Sequence, residues 1–206
     1  MIVDLTQTIE ENIQVFEKSI KPLKIPWSNL KQHGYNLELI FMSSHTGTHI
    51  DAPNHFGYNT SIDEIDLNKV VINAMLLRIK KDANEFITKD DLAKYNIESK
   101  AVIISTSWEK MRYNDNYLTA NPGLSIDAAE YLINANIDII GIDTPNIDHN
   151  SSKEFVVHHK LLSNNILIIE NLCNLDKLPS RFKIIALPLK IKGATGSPAR
   201  VIAVID

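Results

Sequence analysis

The chain has 206 residues, of which 44% are apolar and 22% charged, and its formal net charge is −4. This size and composition predict a single globular domain over residues 1–206, and the acidic balance argues against a nucleic-acid or anionic-membrane partner. The one cysteine excludes an internal disulfide. Because no apolar run approaches the ~18 residues of a membrane span and acidic residues interrupt the N terminus, we expect a cytoplasmic protein.

Strand patterns dominate the first half of the chain. The predicted elements are, in order, a short strand at 2–6, a long loop with at most one helical turn at 11–34, a strand at 35–43 and a buried strand at 70–79. The strand at 35–43 is inferred from the alternation of Leu37, Leu39 and Phe41 with polar residues, and the loop from Pro22, Pro26 and a lack of periodicity. Loops of this length inside a domain are often lids or binding loops.

Helices and strands alternate in the second half. The predicted elements are a helix at 88–95, a strand at 101–105, a helix at 125–136, a strand at 137–142, a helix at 156–163, and strands at 166–170, 182–187 and 201–205. Thr88 and Ser125 are the expected N-caps of the first two helices. This order predicts an α/β domain with a mixed sheet.

Three histidines and an aspartate fall within eleven residues, at His45, His49, Asp51 and His55. All four occupy odd positions, so in an extended chain their side chains would share one face. Imidazole and carboxylate donors suit Zn²⁺, and less selectively Mn²⁺ or Fe²⁺. The pattern therefore predicts a metal site, the alternative being a polar loop with incidental histidines.

A straight strand cannot bring His45 and His49 to one metal, because it would separate them by about 13 Å at roughly 3.3 Å per residue. Two ligands of one zinc ion place their donor atoms within about 4 Å of each other, since each bond is ~2.1 Å long. The chain must therefore bend between the two histidines, and Gly47 permits the dihedral angles that such a bend needs.

A second pair of candidate ligands is His158, on a predicted helix, and Glu170, at the end of a predicted buried strand. If the strand runs back along the helix, the two side chains finish near one end of the unit. Burying an unpaired carboxylate after four apolar residues is costly, and a metal would offset that cost; the alternative is a Glu170 that reaches solvent. His158 and His159 point about 100° apart on a helix, so only one of them can face the site.

The segment His45-Thr46-Gly47-Thr48-His49-Ile50-Asp51-Ala52-Pro53-Asn54-His55 resembles the H-x-G-T-H-x-D-x-P-x-H signature of the cyclase family, which includes bacterial kynurenine formamidase and isatin hydrolase. The segment from His158 to Glu170 looks like the second ligand segment of that family, which favours His158 over His159. The segment at 196–200 is similar to its C-terminal signature.

The resemblance implies a swivelling β/β/α-type fold, a homodimer or larger homo-oligomer, and a pair of divalent metals per chain, zinc with manganese as the alternative. It implies His45, His49 and Asp51 as ligands of one metal, Asp51, His158 and Glu170 as ligands of a second, and His55 as the acid/base residue. The expected reaction is hydrolysis of a small amide or formamide by an activated water, with N-formyl-L-kynurenine as the leading substrate.

Alternatives stay open at three points. Residues 11–17 lack the glycine of the turn that the formamidases carry after the first strand, so another cyclic amide or lactone, such as isatin, is a possible substrate. A non-catalytic metal-binding protein is the alternative of a different class. Phe16 and Trp108 are candidate aromatic pocket residues, with core packing as the alternative, and Asp143 is a pocket candidate that could instead form a turn before Pro145.

Overall fold

The computed structural model describes residues 1–205 as an α/β fold built on a mixed sheet. Its strands are β1 (Ile2–Asp4), β2 (Leu23–Ser28), β3 (Leu37–Phe41), β4 (His49–Asp51), β5 (Val71–Arg78), β6 (Phe86–Ile87), β7 (Ala101–Ser105), β8 (Gly123–Leu124), β9 (Ile139–Ile142), β10 (Leu167–Glu170), β11 (Arg181–Pro188) and β12 (Gly196–Val204). Its α-helices are α1 (Leu30–His33), α2 (Lys89–Leu92), α3 (Ile126–Asn134) and α4 (Val156–Ser163).

The main sheet closes into a barrel-like arrangement. Its strand order is β1-β12-β11-β5-β7-β9-β10-β4, and β4 also pairs with β12. The closure depends on the length of β12: its first residues pair with β4, through Gly196 opposite Asp51, and its later residues pair with β1. Strands β5, β7, β9 and β10 are parallel neighbours, and α3 and α4 lie in the crossovers that parallel strands require.

Alternate residues of the parallel strands pack into two separate apolar layers, because successive side chains of a strand point to opposite faces. Ile103, Ile139 and Ile169 belong to the first layer. Strands from all around the closed sheet contribute to this layer, so it fills the interior of the barrel. Their neighbours Val102, Ile140 and Ile168 pack on the outer face against α3 and α4, in a cluster that includes Leu132 and Leu161.

The predicted fold class, an α/β domain with a mixed sheet, is confirmed. Thr88 caps α2 as expected, and its hydroxyl and the Asp91 carboxylate form a capping box. Ser125 precedes α3, but its hydroxyl donates to the carbonyl of Ile87 rather than capping the helix. None of the helices in residues 1–205 combines the length and apolar composition that crossing a lipid bilayer requires.

The expectation of a loop throughout residues 11–34 is wrong in part. Residues 23–28 form β2, which pairs with β3 as a two-stranded ribbon outside the main sheet, and the expected helical turn is α1. The strand escaped sequence reasoning because Pro26 interrupts it, at a register irregularity between Pro26 and Ser28. Proline is tolerated there since it leaves no N–H to be satisfied at an edge or bulge.

Candidate metal centre

Strands β4 and β10 place three candidate ligands on one face of the sheet. The two strands are antiparallel, with His49 opposite Glu170 and Asp51 opposite Ile168. Directly opposed residues point to the same side of a sheet, and Ile168 belongs to the outer layer beneath α4. The side chains of His49, Asp51 and Glu170 therefore converge under that helix, where all three are at most 5% exposed.

The bend predicted at Gly47 is present, and it brings His45 back to the strand. Gly47 has a φ of +64°, a conformation that residues with a side chain rarely adopt. A Cβ at this position would lie 3.1 Å from Cδ1 of Ile13, so space is also limited. The bend leaves Nδ1 of His45 only 2.6 Å from Oδ1 of Asp51.

Helix α4 supplies the ligand candidate from the second cluster. Nε2 of His158 lies 3.5 Å from Oδ2 of Asp51 and 3.3 Å from Oε1 of Glu170. His159 turns the other way, and its Nδ1 lies 3.1 Å from the hydroxyl of Tyr58. The helix and strand thus run antiparallel to each other, and the two residues meet at one end of the unit.

Two three-residue ligand sets result, and they share one carboxylate. Each set places one donor atom per residue within 4.8 Å of the others; the sets are His45, His49 and Asp51, and Asp51, His158 and Glu170. The shared Asp51 is fully buried, and its Oδ2 has no hydrogen-bond partner among the described residues. An orphaned carboxylate oxygen facing buried imidazoles fits a divalent cation, since imidazole and carboxylate are ordinary ligands of such ions.

The buried carboxylates of the site favour the binding of positive charge. Burial raises the pKa of Asp51, but the imidazoles of His49 and His45 outweigh it and hold that pKa well below its usual value. Burial lowers the pKa of His49, yet Asp51 and Glu170 raise it to about 9. Two buried carboxylates therefore attract positive charge, which protons on the histidines or bound metal ions can provide.

Hydrogen bonds to the outer nitrogens orient two of the imidazoles. Nδ1 of His49 donates to the carbonyl of Gly47 at 2.8 Å, and Nδ1 of His158 donates to Oδ2 of Asp148 at 2.7 Å. Both Nε2 atoms consequently face the carboxylates, so a metal ion could bind these nitrogens in place of the protons that they otherwise carry. Asp148 also accepts from the backbone N–H groups of Val157 and His158 at the start of α4.

His55 stands beside this cluster but differs in its surroundings. Its ring stacks on that of His45, with centroids 3.9 Å apart and an interplanar angle of 26°. The residue is exposed to a cavity, whereas His49 and His158 are buried. Desolvation by neighbouring atoms, opposed by Asp51 and assisted by His45 and His158, lowers the pKa of His55 below its usual 6.5. Its imidazole is therefore neutral at pH 7 and able to accept a proton.

The cluster opens into a cavity of about 490 Å³, within the usual size range for a small-molecule site. Part of its wall comes from residues 14–19 of the loop after β1. Phe155 packs against two other phenylalanines of the wall: the distance between ring centroids is 6.0 Å to Phe16 and 5.9 Å to Phe56. The donor atoms thus form the floor of a cavity with one aromatic side.

Comparison with known families agrees with this geometry. Residues 3–149 match the Cyclase family. The chain belongs to the cyclase family. It is 31% identical to the kynurenine formamidase of Bacillus thuringiensis (strain Al Hakam), over 97% of this chain and 95% of that protein. The predicted family membership is confirmed.

Solved structures of cyclase-family proteins share the fold. Isatin hydrolase A from Labrenzia aggregata superposes with a TM-score of 0.91 at 30% identity, covering 98% of this chain and 93% of that one. A protein from Bacillus stearothermophilus described as a predicted metal-dependent hydrolase superposes with a TM-score of 0.85 at 31% identity, covering 98% and 97%.

Of the three pocket candidates drawn from the sequence, only Phe16 lines the cavity. Trp108 is 4% exposed, and its Nε1 donates to the carbonyl of Tyr117. Asp143 is fully buried and accepts from the backbone N–H and the hydroxyl of Thr106. Asp143 thus joins the end of β9 to the end of β7, and Trp108 is buried in the connection that follows β7. Neither residue lines the cavity, so Trp108 packs in the interior, which was its alternative, and Asp143 is not the pocket residue that the sequence suggested.

Sequence reasoning assigned no role to several residues that shape the candidate site. A Cβ on Gly196 would lie 2.6 Å from Cε1 of His45, so the glycine makes room for that ring. Asp148 orients His158, as described above. Phe155 takes a left-handed backbone conformation, with φ 50° and ψ 47°, directly before α4. The roles of Gly196 and Asp148 depend on contacts between different elements of the fold, which local spacing does not reveal.

Proposed function

We propose that this protein hydrolyses a small aromatic formamide, with N-formyl-L-kynurenine, giving L-kynurenine and formate, as the leading substrate. The chain is a metal-dependent hydrolase of the cyclase family, acting on C–N bonds other than peptide bonds. One observation carries the substrate proposal: the shared-carboxylate ligand cluster forms the floor of a cavity with an aromatic side. A site that only stores metal would not need an open cavity of this size beside the ligands.

The metals that we propose are two zinc ions per chain, with manganese as the alternative. His45, His49 and Asp51 would hold one, and Asp51, His158 and Glu170 the other. When bound, such ions supply Lewis acidity, which polarises a carbonyl and makes water more acidic. The two carboxylates neutralise only part of that positive charge, so the site favours the negative charge that develops on the carbonyl oxygen during attack.

His55 is the acid/base residue of this proposal. Hydrolysis of a formamide adds water across the C–N bond, so one proton must leave the attacking water and one must reach the departing nitrogen. The neutral imidazole of His55, exposed to the cavity beside His45, can take the first proton and return it to the nitrogen. Because His49 and His158 hold their Nδ1 protons in hydrogen bonds, they are poorly suited to this transfer.

An aromatic group on the substrate fits the wall of the cavity. The rings of Phe16, Phe56 and Phe155 meet at angles of 56° and 57°, leaving faces and edges for contact with a further ring. Phe16 comes from the segment that lacks the glycine-containing turn of the formamidases, so it is the feature of this chain that we expect to modify substrate choice.

The second candidate substrate is a cyclic aromatic amide such as isatin. The match to isatin hydrolase A over nearly the whole of both chains favours it. Ring opening of a cyclic amide needs the same attack on a carbonyl and the same protonation of nitrogen, so the proposed residue roles would be unchanged. The choice between the two substrates would depend only on how well each one fits the cavity wall.

We propose a homodimer as the assembly, with the β2–β3 ribbon as its contact surface. An isolated two-stranded ribbon is marginally stable in water, yet this one carries large apolar side chains that are 38% to 64% exposed: Leu23, Ile25, Trp27, Leu37, Ile40 and Phe41. A second copy covering this surface would bury them. Light scattering of wild type and a Trp27→Glu variant tests this, and a monomeric wild type would contradict it.

The deciding experiment uses protein purified without chelator. Elemental analysis counts metals per chain, and the same sample is assayed on N-formylkynurenine, isatin and a non-aromatic formamide. About two divalent metals with chelator-sensitive turnover of N-formylkynurenine would support the leading proposal, and preference for isatin would support the second. Metal without hydrolysis of any amide, ester or lactone would favour a non-catalytic metal-binding protein. Failure to bind metal would overturn the proposal.

A further inference from the structure

Asn171, the residue after Glu170, forms hydrogen bonds through both its backbone and its side chain, although it lies outside both ligand sets. It is 8% exposed and adopts a φ of 60°, a left-handed conformation that asparagine tolerates better than most residues. Its backbone N–H donates to the carbonyl of Thr144, and its carbonyl accepts from the hydroxyl of Thr48 at 2.6 Å. The chain leaving β10 is thereby held against the segment that enters β4.

The side-chain amide of Asn171 reaches the carbonyl that orients a ligand candidate. Its Nδ2 donates to the carbonyl oxygen of Gly47 at 3.0 Å, and the same oxygen accepts from Nδ1 of His49 at 2.8 Å. A carbonyl oxygen has two lone pairs, so both donors can be satisfied. Asn171 therefore fixes the direction of the acceptor that keeps Nε2 of His49 free for a metal.

A buried ring of hydrogen bonds fixes the orientation of that amide. The hydroxyl of Tyr117 donates to Oδ1 of Asn171 at 2.8 Å and accepts from Nε2 of Gln7 at 3.2 Å. The backbone N–H of Gln7 donates to the hydroxyl of Thr48, which closes the ring. Since the tyrosine hydroxyl is the donor, the amide oxygen must face it, and the amide nitrogen must face Gly47.

These contacts join the two ligand sets through a residue that belongs to neither of them. Asn171 is covalently next to Glu170, and it is hydrogen-bonded to the bend that places His45 and His49. We propose that Asn171 is a positioning residue of the metal centre, which fixes the His49 tautomer and the separation of the two ligand sets, and that Tyr117 holds its amide in the required orientation. This inference rests on the proposed metal centre.

The test measures the Zn²⁺ dissociation constant of each protein by chelator competition, alongside the absorption spectrum of the Co²⁺-loaded form. Asn171→Gly removes the amide while accepting the left-handed backbone, and Tyr117→Phe removes only the hydroxyl. We expect Asn171→Gly to bind Zn²⁺ about 10- to 100-fold more weakly, as is typical when the partner of a ligand is lost, with an altered Co²⁺ spectrum. Tyr117→Phe should weaken binding in the same direction by a smaller factor.

Asn174→Gly is the matched control. Asn174 also has a φ of 60°, but its amide donates to the carbonyl of Asp4, so its loss should leave Zn²⁺ affinity and the Co²⁺ spectrum unchanged. Thermal unfolding of the metal-free proteins separates loss of fold from loss of affinity. Wild-type affinity in both Asn171→Gly and Tyr117→Phe would overturn the inference alone, whereas a wild-type protein that binds no Zn²⁺ would overturn the proposed centre with it.

Discussion

Glu170 lies directly opposite His49 across the β10–β4 pair, and its Oε2 is 3.5 Å from Nε2 of that histidine. This register decides which side chains meet, because a shift of one residue would turn every side chain of the strand to the opposite face. Ile169 would then occupy the position of the carboxylate. The ligand cluster is therefore a consequence of strand register as much as of residue identity.

Replacing His55 by alanine should slow turnover strongly without removing metal. Loss of a positioned acid/base group typically costs 10²- to 10⁴-fold in rate, whereas both ligand sets remain intact. Elemental analysis and the initial rate on the best substrate, measured on one preparation, check this expectation. His33→Ala is a control that changes an exposed histidine of the ribbon connection. Metal loss in His55→Ala would show instead that His55 is a ligand.

Gly196→Ala should disrupt the metal centre from the opposite strand. The added methyl group would lie 2.6 Å from Cε1 of His45 and 2.7 Å from the carbonyl oxygen of Ile50, and backbone cannot yield as a flexible side chain can. We expect reduced metal content and a loss of about 1–3 kcal/mol in unfolding free energy. At Gly34 a Cβ would meet no atom within 4 Å, so Gly34→Ala should be destabilised by backbone strain alone and keep its metal.

Asp148→Asn should weaken metal binding through His158. The carboxylate accepts from the N–H of Val157 through Oδ1 and from the N–H and Nδ1 of His158 through Oδ2, whereas an amide has one oxygen and its nitrogen would face a donor on the other side. His158 then loses a negatively charged partner and part of the contact that sets its orientation, so a 10- to 100-fold drop in Zn²⁺ affinity is expected. Asp127→Asn, at the exposed start of α3, is the matched control. Equal affinities in the two variants would contradict this role for Asp148.

Phe155→Gly should impair aromatic substrates selectively. Bulky residues are disfavoured in the left-handed region by about 1–2 kcal/mol, so glycine relieves strain while deleting the ring that contacts Phe16 and Phe56. One aromatic contact is worth ~0.5–1.5 kcal/mol, which corresponds to a roughly two- to thirteenfold higher KM for N-formylkynurenine. The rate on a non-aromatic formamide should change little. Phe86→Ala, which removes a ring stacked on His149 instead, is the control.

The metal-free protein should lose stability as pH rises through about 9. Asp51 and Glu170 overcome the effect of burial and raise the pKa of His49 to about 9 in the folded state, while an unfolded imidazole titrates near 6.5. Between these two pKa values the folded state keeps a proton on His49 that the unfolded state releases. The stabilisation that this proton gives to the folded state is complete below about pH 6.5 and lost above about pH 9. Urea unfolding of chelator-treated protein across this range measures it. A stability that rises with pH over the same interval would contradict the assignment.

Several features followed from local sequence alone. The spacing of His45, His49 and Asp51 around a glycine required a bend, and the backbone at Gly47 has it. Alternating helices and strands predicted the α/β class. These inferences succeed because side-chain periodicity and glycine dihedral freedom act within a few residues. Strand β2 was missed because its proline and its solvent exposure erase the local signal of a strand.

The sequence by itself determined the family, the fold class and which residue types could hold a metal. Only the tertiary structure decided that Asp51 is shared by two ligand sets, that Asp148 orients His158, that Gly196 admits the ring of His45 and that Trp108 is buried away from the cavity. The shared carboxylate and the contact of Gly196 with His45 join segments far apart in the chain, and the Asp148–His158 pair joins a loop to the start of α4. Their geometry is set by strand register and barrel closure, which depend on the packing of the whole chain rather than on the spacing of neighbouring residues.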